Sequence, residues 1–346
     1  MDIRLNNVNK KLGDFYLKNL NIRICDGEYF VLLGPSGSGK TKTIELIAGL
    51  SDPDSGSISG VEGKQTGLIY QDYMLFPHLN VYENISYGLR FRDLRKDEIR
   101  RKVENVAAEF GISHLLHKKI EMLSGGEKQR TAIARATILS PDIYIFDEPT
   151  SALDRTLKEM TRSLFRKFHK RTGKTFIHVT HDFEEAISLA DKIGIIFDGE
   201  IVQTGTPDEI FTSPTSKNVA DFLGYKNVIK GKVKKGVFSS DGVSIAVNGD
   251  DSSLTYIAVR SDDILLSEKE IDSSARNSFN GKVTDIYRRS AGVEVIVDVG
   301  LPLTVEITRK SFDDMNIKEG DRFWVTFKVS SVRVFPHDPD TRPGER

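Results

Sequence analysis

A single cysteine, Cys25, is found among the 346 residues, so no intramolecular disulfide framework is available and stability must come from apolar cores. One thiol also fits a reducing compartment, and Cys25 is expected to be a small, half-buried residue. The chain lacks a bilayer-length apolar run; segments such as Ile193-Gly194-Ile195-Ile196-Phe197 have the length of a buried strand. Met1-Asp2-Ile3-Arg4 lacks the charged and apolar regions of a secretory signal. Charge of one sign is also missing: the formal net charge is −1, and no global field draws the chain to nucleic acid or anionic lipid. No sustained heptad pattern marks a coiled-coil insert. These absences predict a cytosolic chain, without nucleic acid as a partner, that reaches a membrane only through another protein. With 38% apolar residues over this length, two domains are expected.

Up to about residue 225, short continuous apolar runs at 29–33, 67–70, 143–146, 176–180 and 193–197 alternate with helical patterns at 41–50, 124–139 and 157–170. Continuous runs of this kind are strands buried on both faces, and the alternation predicts a largely parallel α/β sheet. The charge-rich stretch 84–119 reads as helical, with 91–102 a solvated helix face. Beyond residue 225 the strands become short and alternating, with turns such as Asn248-Gly249-Asp250 and Ser290-Ala291-Gly292. This half repeats itself. Asn227-Val228-Ile229-Lys230-Gly231-Lys232-Val233 recurs as Asn277-Ser278-Phe279-Asn280-Gly281-Lys282-Val283. A duplicated β unit predicts a small compound barrel, an all-β OB-like tandem repeat. The domain limits are expected at 1–225 and 226–336, followed by a proline-bearing disordered tail at 337–346.

Gly34-Pro35-Ser36-Gly37-Ser38-Gly39-Lys40-Thr41 has the spacing G-x-x-x-x-G-K-[ST] between a predicted strand and a predicted helix. Its glycines let successive backbone N–H groups point inward at phosphate oxygens, and the helix N-terminus adds positive potential. Lys40 supplies a mobile charge for the β- and γ-phosphates, and Thr41 a hydroxyl for Mg²⁺. Ile143-Tyr144-Ile145-Phe146-Asp147-Glu148 is an apolar run ending in two carboxylates. Asp147 at the strand tip suits the Mg²⁺ shell. Glu148, pointing the other way by strand alternation, suits polarisation of the attacking water.

Leu123-Ser124-Gly125-Gly126-Glu127-Lys128-Gln129-Arg130 reads locally as a capping box, Ser124 at N-cap and Glu127 at N3. Its two glycines also leave N–H groups open for a second phosphate. The segment resembles the signature of ABC ATPases, and other segments of that family follow in order. Ile69-Tyr70-Gln71-Asp72 is similar to the Q-loop, Pro149-Thr150-Ser151-Ala152-Leu153-Asp154 to the D-loop, and Val179-Thr180-His181-Asp182 to the switch histidine segment. The resemblance implies an ABC ATPase of the P-loop NTPase fold. It implies a homodimer in which the cradle Gly34–Thr41 of one subunit and Ser124, Gly125, Gly126 and Glu127 of the other enclose each ATP. It assigns Gln71 to Mg²⁺ and water sensing, His181 to the γ-phosphate and Glu148 to the general base. Two departures stand out. Leu12 aligns where the family stacks adenine on an aromatic ring, with Phe15 or Tyr16 as substitutes, and residues 60–71 are shorter than in close relatives.

Gln71-Asp72-Tyr73-Met74-Leu75-Phe76-Pro77-His78-Leu79-Asn80-Val81 resembles the importer form of the segment after the Q-loop. That implies two polytopic permease subunits, gripped by Tyr73, Met74, Leu75 and Phe76, and a peripheral position on the cytoplasmic face. In the second half, residues 273–283 and 327–332 resemble the opening and closing strands of molybdate/tungstate-binding β domains. The resemblance implies an importer of those oxyanions with an external binding protein. It also implies regulatory molybdate or tungstate held by Ser274, Arg276, Asn277, Lys328 and Ser330, groups whose hydroxyls, amides and cations suit a tetrahedral oxyanion. Importers of sulfate, iron, sugar or polyamine and a soluble ABC ATPase are the alternatives.

Overall fold

The computed structural model describes residues 1–336 apart from Ala152 and Ala291. The expected tail at 337–346, Ala152 of the D-loop-like segment and Ala291 of the Ser290–Gly292 turn lie outside the described residues. The chain divides into two compact units, Met1–Ile210 and the part from Phe211 onward.

The first unit is built on a six-stranded sheet, ordered Thr66–Ile69, Ile143–Asp147, Thr175–Thr180, Tyr29–Leu33, Lys192–Phe197, Glu200–Gly205. The first five strands are parallel and the last antiparallel. Every residue of Tyr29–Leu33, Ile143–Asp147 and Thr175–Thr180 is buried, which is why these segments read as continuous rather than alternating apolar runs. A three-stranded antiparallel sheet of Ile3–Leu12, Phe15–Ile24 and Ser55–Ser59 packs through Leu5, Leu17, Leu20 and Ile24 against Phe30, Leu32 and Ile44. The helices sit close to their expected places, at Lys40–Ile47, Gly125–Thr137 and Arg155–Thr172. Residues 91–102 are not one helix: a 3₁₀ turn ends at Phe91 and a new helix, Lys96–Glu109, starts after Arg95, whose backbone N–H is accepted by Glu98. Cys25 is exposed rather than half-buried. No helix among the described residues is long and apolar enough to cross a membrane.

The second unit contains two five-stranded antiparallel sheets of the same plan. In one, the order is Val243–Ala246, Val237–Ser240, Asn227–Lys234, Ser252–Val259, Arg333–Pro336; in the other it is Pro302–Ile307, Val293–Asp298, Asn277–Arg288, Arg322–Phe327, Leu265–Ser267. The duplicated halves exchange their fifth strands, since Leu265–Ser267 follows the first copy in sequence but pairs with the second, and Arg333–Pro336 does the reverse. A single core, with Phe238, Ile257, Val295, Val305 and Phe327 at its centre, is shared by both sheets.

The repeated Asn and Gly have separate physical reasons. Gly231 and Gly281 sit where a Cβ would lie 2.4 Å from Ser239 O and 2.7 Å from Asp298 O, so the neighbouring strand can approach only without a side chain. Asn227 donates to Thr304 O (2.9 Å) and accepts from Thr304 N–H (2.7 Å); Asn277 does the same with Ala246 (3.0 and 2.7 Å). Each asparagine thus stitches its own copy to the strand of the other. Asn277→Leu leaves the half-buried N–H and C=O of Ala246 without their asparagine partner and is expected to destabilise the second unit by about 2 kcal/mol. A denaturant titration following that unit's transition checks this, and an unchanged midpoint would contradict the cross-link.

The division at Ile210 falls earlier than the expected limit at residue 225. Ala220 and Tyr225 are buried against Ala258 and Phe335, Tyr225 Oη donates to Phe211 O at 3.0 Å, and Arg333 Nε donates to Thr212 O at 2.6 Å. These contacts attach the helix Lys217–Phe222 to the β unit, and no local composition change marks them.

Candidate active site

The loop after Tyr29–Leu33 turns sharply into the helix Lys40–Ile47. Gly39 caps that helix at φ 101°, and a Cβ there would lie 2.6 Å from Leu17 Cδ2, so conformation and space both require glycine. Lys40 Nζ donates to Gly34 O and Pro35 O, both at 2.9 Å, and lies 3.6 Å from Glu148 Oε1. Burial lowers the Lys40 ammonium from its ordinary value, and Glu148 opposes this. Ser38 Oγ is buried without a hydrogen-bond partner among the described residues. An orphaned hydroxyl inside a loop of inward N–H groups fits a phosphate oxygen.

Thr41 Oγ1 donates to Asp147 Oδ2 at 3.0 Å, joining the loop to the tip of Ile143–Asp147. Burial raises the Asp147 carboxyl above its ordinary value, the Thr41 bond offsetting part of the rise. This oxygen pair is short of positive charge, and its hard donors fit Mg²⁺. Gln71, just past Thr66–Ile69, lines the same cavity of about 500 Å³ together with Leu12, Phe15, Lys40, Asp147 and Glu148. Tyr16 is exposed and is not among its lining residues, so Phe15 is the aromatic ring the fold brings to the loop.

Both carboxylates line that cavity, contrary to the expectation that Glu148 points away from Asp147. The reason is its backbone: Glu148 has φ 44°, a left-handed conformation that breaks strand alternation. The turn is held by Glu148 N–H on Val179 O (2.9 Å) and by Ser151 N–H and Oγ on Glu148 O (3.2 and 3.0 Å). Glu148 Oε2 meets His181 Nδ1 at 3.1 Å. The parallel register of Ile143–Asp147 beside Thr175–Thr180 therefore brings base candidate and switch histidine together although they are far apart in sequence.

Ser124 caps Gly125–Thr137 with the expected box, accepting from Glu127 N–H and donating its own N–H to Glu127 Oε2 at 2.7 Å. The Ser124 N–H and hydroxyl, both donating to Glu127 Oε2, hold the Glu127 carboxyl below its ordinary value. None of Ser124, Gly125, Gly126 and Glu127 lines the phosphate-loop cavity. Gly125 and Gly126 instead leave an exposed or half-buried helix start.

Sequence reasoning missed two links, one half-buried and one buried. Arg135, on the same helix, donates to Met74 O (2.6 Å) and Tyr73 O (3.1 Å), both residues being left-handed (φ 42° and 63°), and its guanidinium lies over Phe76. Gln129 Nε2 donates to Pro149 O at 2.8 Å. The only signal for either was a polar residue on the buried side of a helix. A second cavity, about 640 Å³, opens beside this region, lined by Met74, Phe76, Tyr87, Arg135 and Leu139; Tyr73 and Leu75 are not among its lining residues.

In the second unit Asn277 is buried and committed to Ala246, so its amide is not a free oxyanion donor. Ser274, Arg276, Lys328 and Ser330 are exposed or half-buried. The antiparallel pairing of Asn277 with Phe327 brings Arg276 and Lys328 alongside each other at one sheet end.

Comparison with known proteins agrees with this geometry. The ABC transporter family model matches residues 17–151, and the TOBE domain model matches 273–334. The chain is 40% identical over 343 residues to the molybdate/tungstate import ATP-binding protein WtpC of Pyrococcus abyssi, covering 96% of this chain and 100% of that one. It is 36% identical over 313 residues to the spermidine/putrescine import ATP-binding protein PotA of Acetivibrio thermocellus, covering 85% and 86%. Among solved structures, the dimeric structure of a bacterial ABC transporter cassette aligns with a TM-score of 0.54 at 31% identity, covering 59% of this chain and 98% of the cassette.

Proposed function

From the premise that this chain belongs to the ABC transporter ATP-binding subunits, we propose that it hydrolyses ATP as a homodimer to drive import of molybdate or tungstate. The observation that carries the reading is the convergence of Lys40, Asp147 and Glu148 on one cavity at the Gly34–Thr41 loop, with His181 held against Glu148. ATP is the substrate, its phosphates received by the N–H groups of Gly34–Thr41 and by Lys40. Thr41, Asp147 and Gln71 would hold Mg²⁺, which when bound neutralises charge on the phosphate oxygens. Glu148 orients water and takes its proton, and His181 holds the Glu148 carboxylate and reaches toward the γ-phosphate. Phe15 packs on the adenine.

The signature turn at Ser124–Glu127 lies off its own subunit's cavity, with Ser124 and Gly125 exposed. A second copy places it over the nucleotide, where its open N–H groups meet the terminal phosphate. The apolar cavity at Met74, Phe76 and Leu139 takes a helix of a polytopic permease, one for each subunit, which seats the dimer on the inner face of the membrane. An external oxyanion-binding protein delivers cargo through that permease.

Regulatory oxyanion is held at Ser274, Arg276, Lys328 and Ser330, all within the segment matching the TOBE domain. Calorimetry of the full chain with tungstate is expected to show binding heat that Arg276→Ala/Lys328→Ala abolishes, while spermidine gives none. Heat from spermidine alone would favour the polyamine relatives instead.

A further inference from the structure

Behind the catalytic pair lies a buried polar chain that the proposed chemistry does not use. Glu185, on the helix Phe183–Leu189, is 1% exposed. Its carboxylate accepts from the hydroxyls of both Thr150 and Thr180, the latter at 2.6 Å. His178 Nε2 stands 3.2 Å from Glu185 Oε2. Its Nδ1 meets Tyr29 Oη at 2.9 Å, and Tyr29 and His178 are both fully buried. A carboxylate in such a place is costly unless it serves as an acceptor for fixed donors.

The two threonines occupy informative positions. Thr150 follows Glu148 by two residues, and Thr180 immediately precedes His181. Thr180 Oγ1 also accepts from Asp182 N–H at 3.0 Å, closing the turn that carries His181. Asp182 in turn caps the helix that carries Glu185, accepting from Glu184 and Glu185 N–H groups at 2.9 and 3.2 Å. One carboxylate therefore ties the turn bearing Glu148 to the turn bearing His181, in addition to their own 3.1 Å contact.

We propose that Glu185 is a positioning residue that fixes Glu148 against His181 by clamping Thr150 and Thr180. This rests on the reading of Glu148 and His181 as the hydrolytic pair. The clamp makes the turn after Glu148, including its left-handed backbone, stiff relative to the switch segment. A displacement of about 1 Å in a reacting group can cost on the order of a hundredfold in rate.

ATPase kinetics of the full chain test it, with turnover normalised to measured ATP-binding stoichiometry. Glu185→Gln is expected to lower kcat by between about ten- and a hundredfold, and Thr150→Val by about tenfold, each with KM for ATP within about twofold. Thr150→Ser, which keeps the hydroxyl, restores kcat. In a His181→Ala background, where the pair is already broken, neither Glu185→Gln nor Thr150→Val lowers the residual rate further. Wild-type kcat in both single variants would overturn the proposal, as would an equal loss in the His181→Ala background, which marks general damage. If Glu185→Gln does not fold, the Thr150→Val and Thr150→Ser pair decides. Full turnover in Glu148→Gln would instead remove the underlying reading of the pair.

Discussion

Glu148→Gln is expected to lower ATP turnover by about a thousandfold while leaving ATP binding intact. The amide keeps the shape of the side chain and its place beside Lys40 and His181, at 3.6 and 3.1 Å in the parent protein. What it loses is the capacity to take a proton from water. The proposed cradle is untouched, since Lys40 and Ser38 would receive phosphate, and Thr41 the Mg²⁺, independently of that proton. With binding energy retained and hydrolysis blocked, the nucleotide-bound dimer should accumulate as a stable species, visible by size-exclusion chromatography with ATP and Mg²⁺. Turnover near the parent rate, with no accumulated dimer, would place the base elsewhere.

Mixing two inactive variants should restore hydrolysis. Lys40→Ala removes the charge proposed to face the β- and γ-phosphates. Ser124→Arg fills the signature turn, an open place where a Cβ added at Gly125 would meet nothing closer than Leu153 Cδ2 at 3.6 Å. Each variant alone should be inactive, because every composite site then contains one broken half. In a random mixture half of the dimers combine both chains, and one of their two sites pairs an intact cradle with an intact signature turn. About a quarter of all sites are then whole, and activity should return to about a quarter of the parent rate if sites act independently. A subunit that closed its own pocket would gain nothing from mixing, so a mixture as inactive as its parts would reject the shared site and with it the dimeric mechanism.

The two experiments separate the chemistry from the assembly. Glu148 concerns atoms within one chain, all brought together by adjacent parallel strands. The mixture concerns the exposed turn at Ser124, which in its own subunit caps Gly125–Thr137. A result that upheld the first and rejected the second would leave a P-loop ATPase whose signature turn is a helix cap alone.

Local chemistry was written in the chain itself. The phosphate loop, the capping box at Ser124 and Glu127, the buried strand Tyr29–Leu33 and the duplicated Asn and Gly of the second unit were legible because each depends on residue type and short spacing. Backbone freedom at glycine, capping by serine and the continuous apolar run of a strand buried on both faces act over a few residues, so sequence suffices for them. Tertiary structure alone decided where Glu148 points, since its left-handed turn is held by Val179 and Ser151 rather than by its neighbours' propensities. It also decided that Asn277 serves Ala246 instead of a ligand, that residues 211–225 join the β unit, and that Glu185 gathers Thr150 and Thr180. Each of these depends on at least one contact between distant segments, fixed by strand register and packing, and no pattern along one segment encodes which remote partner will satisfy it.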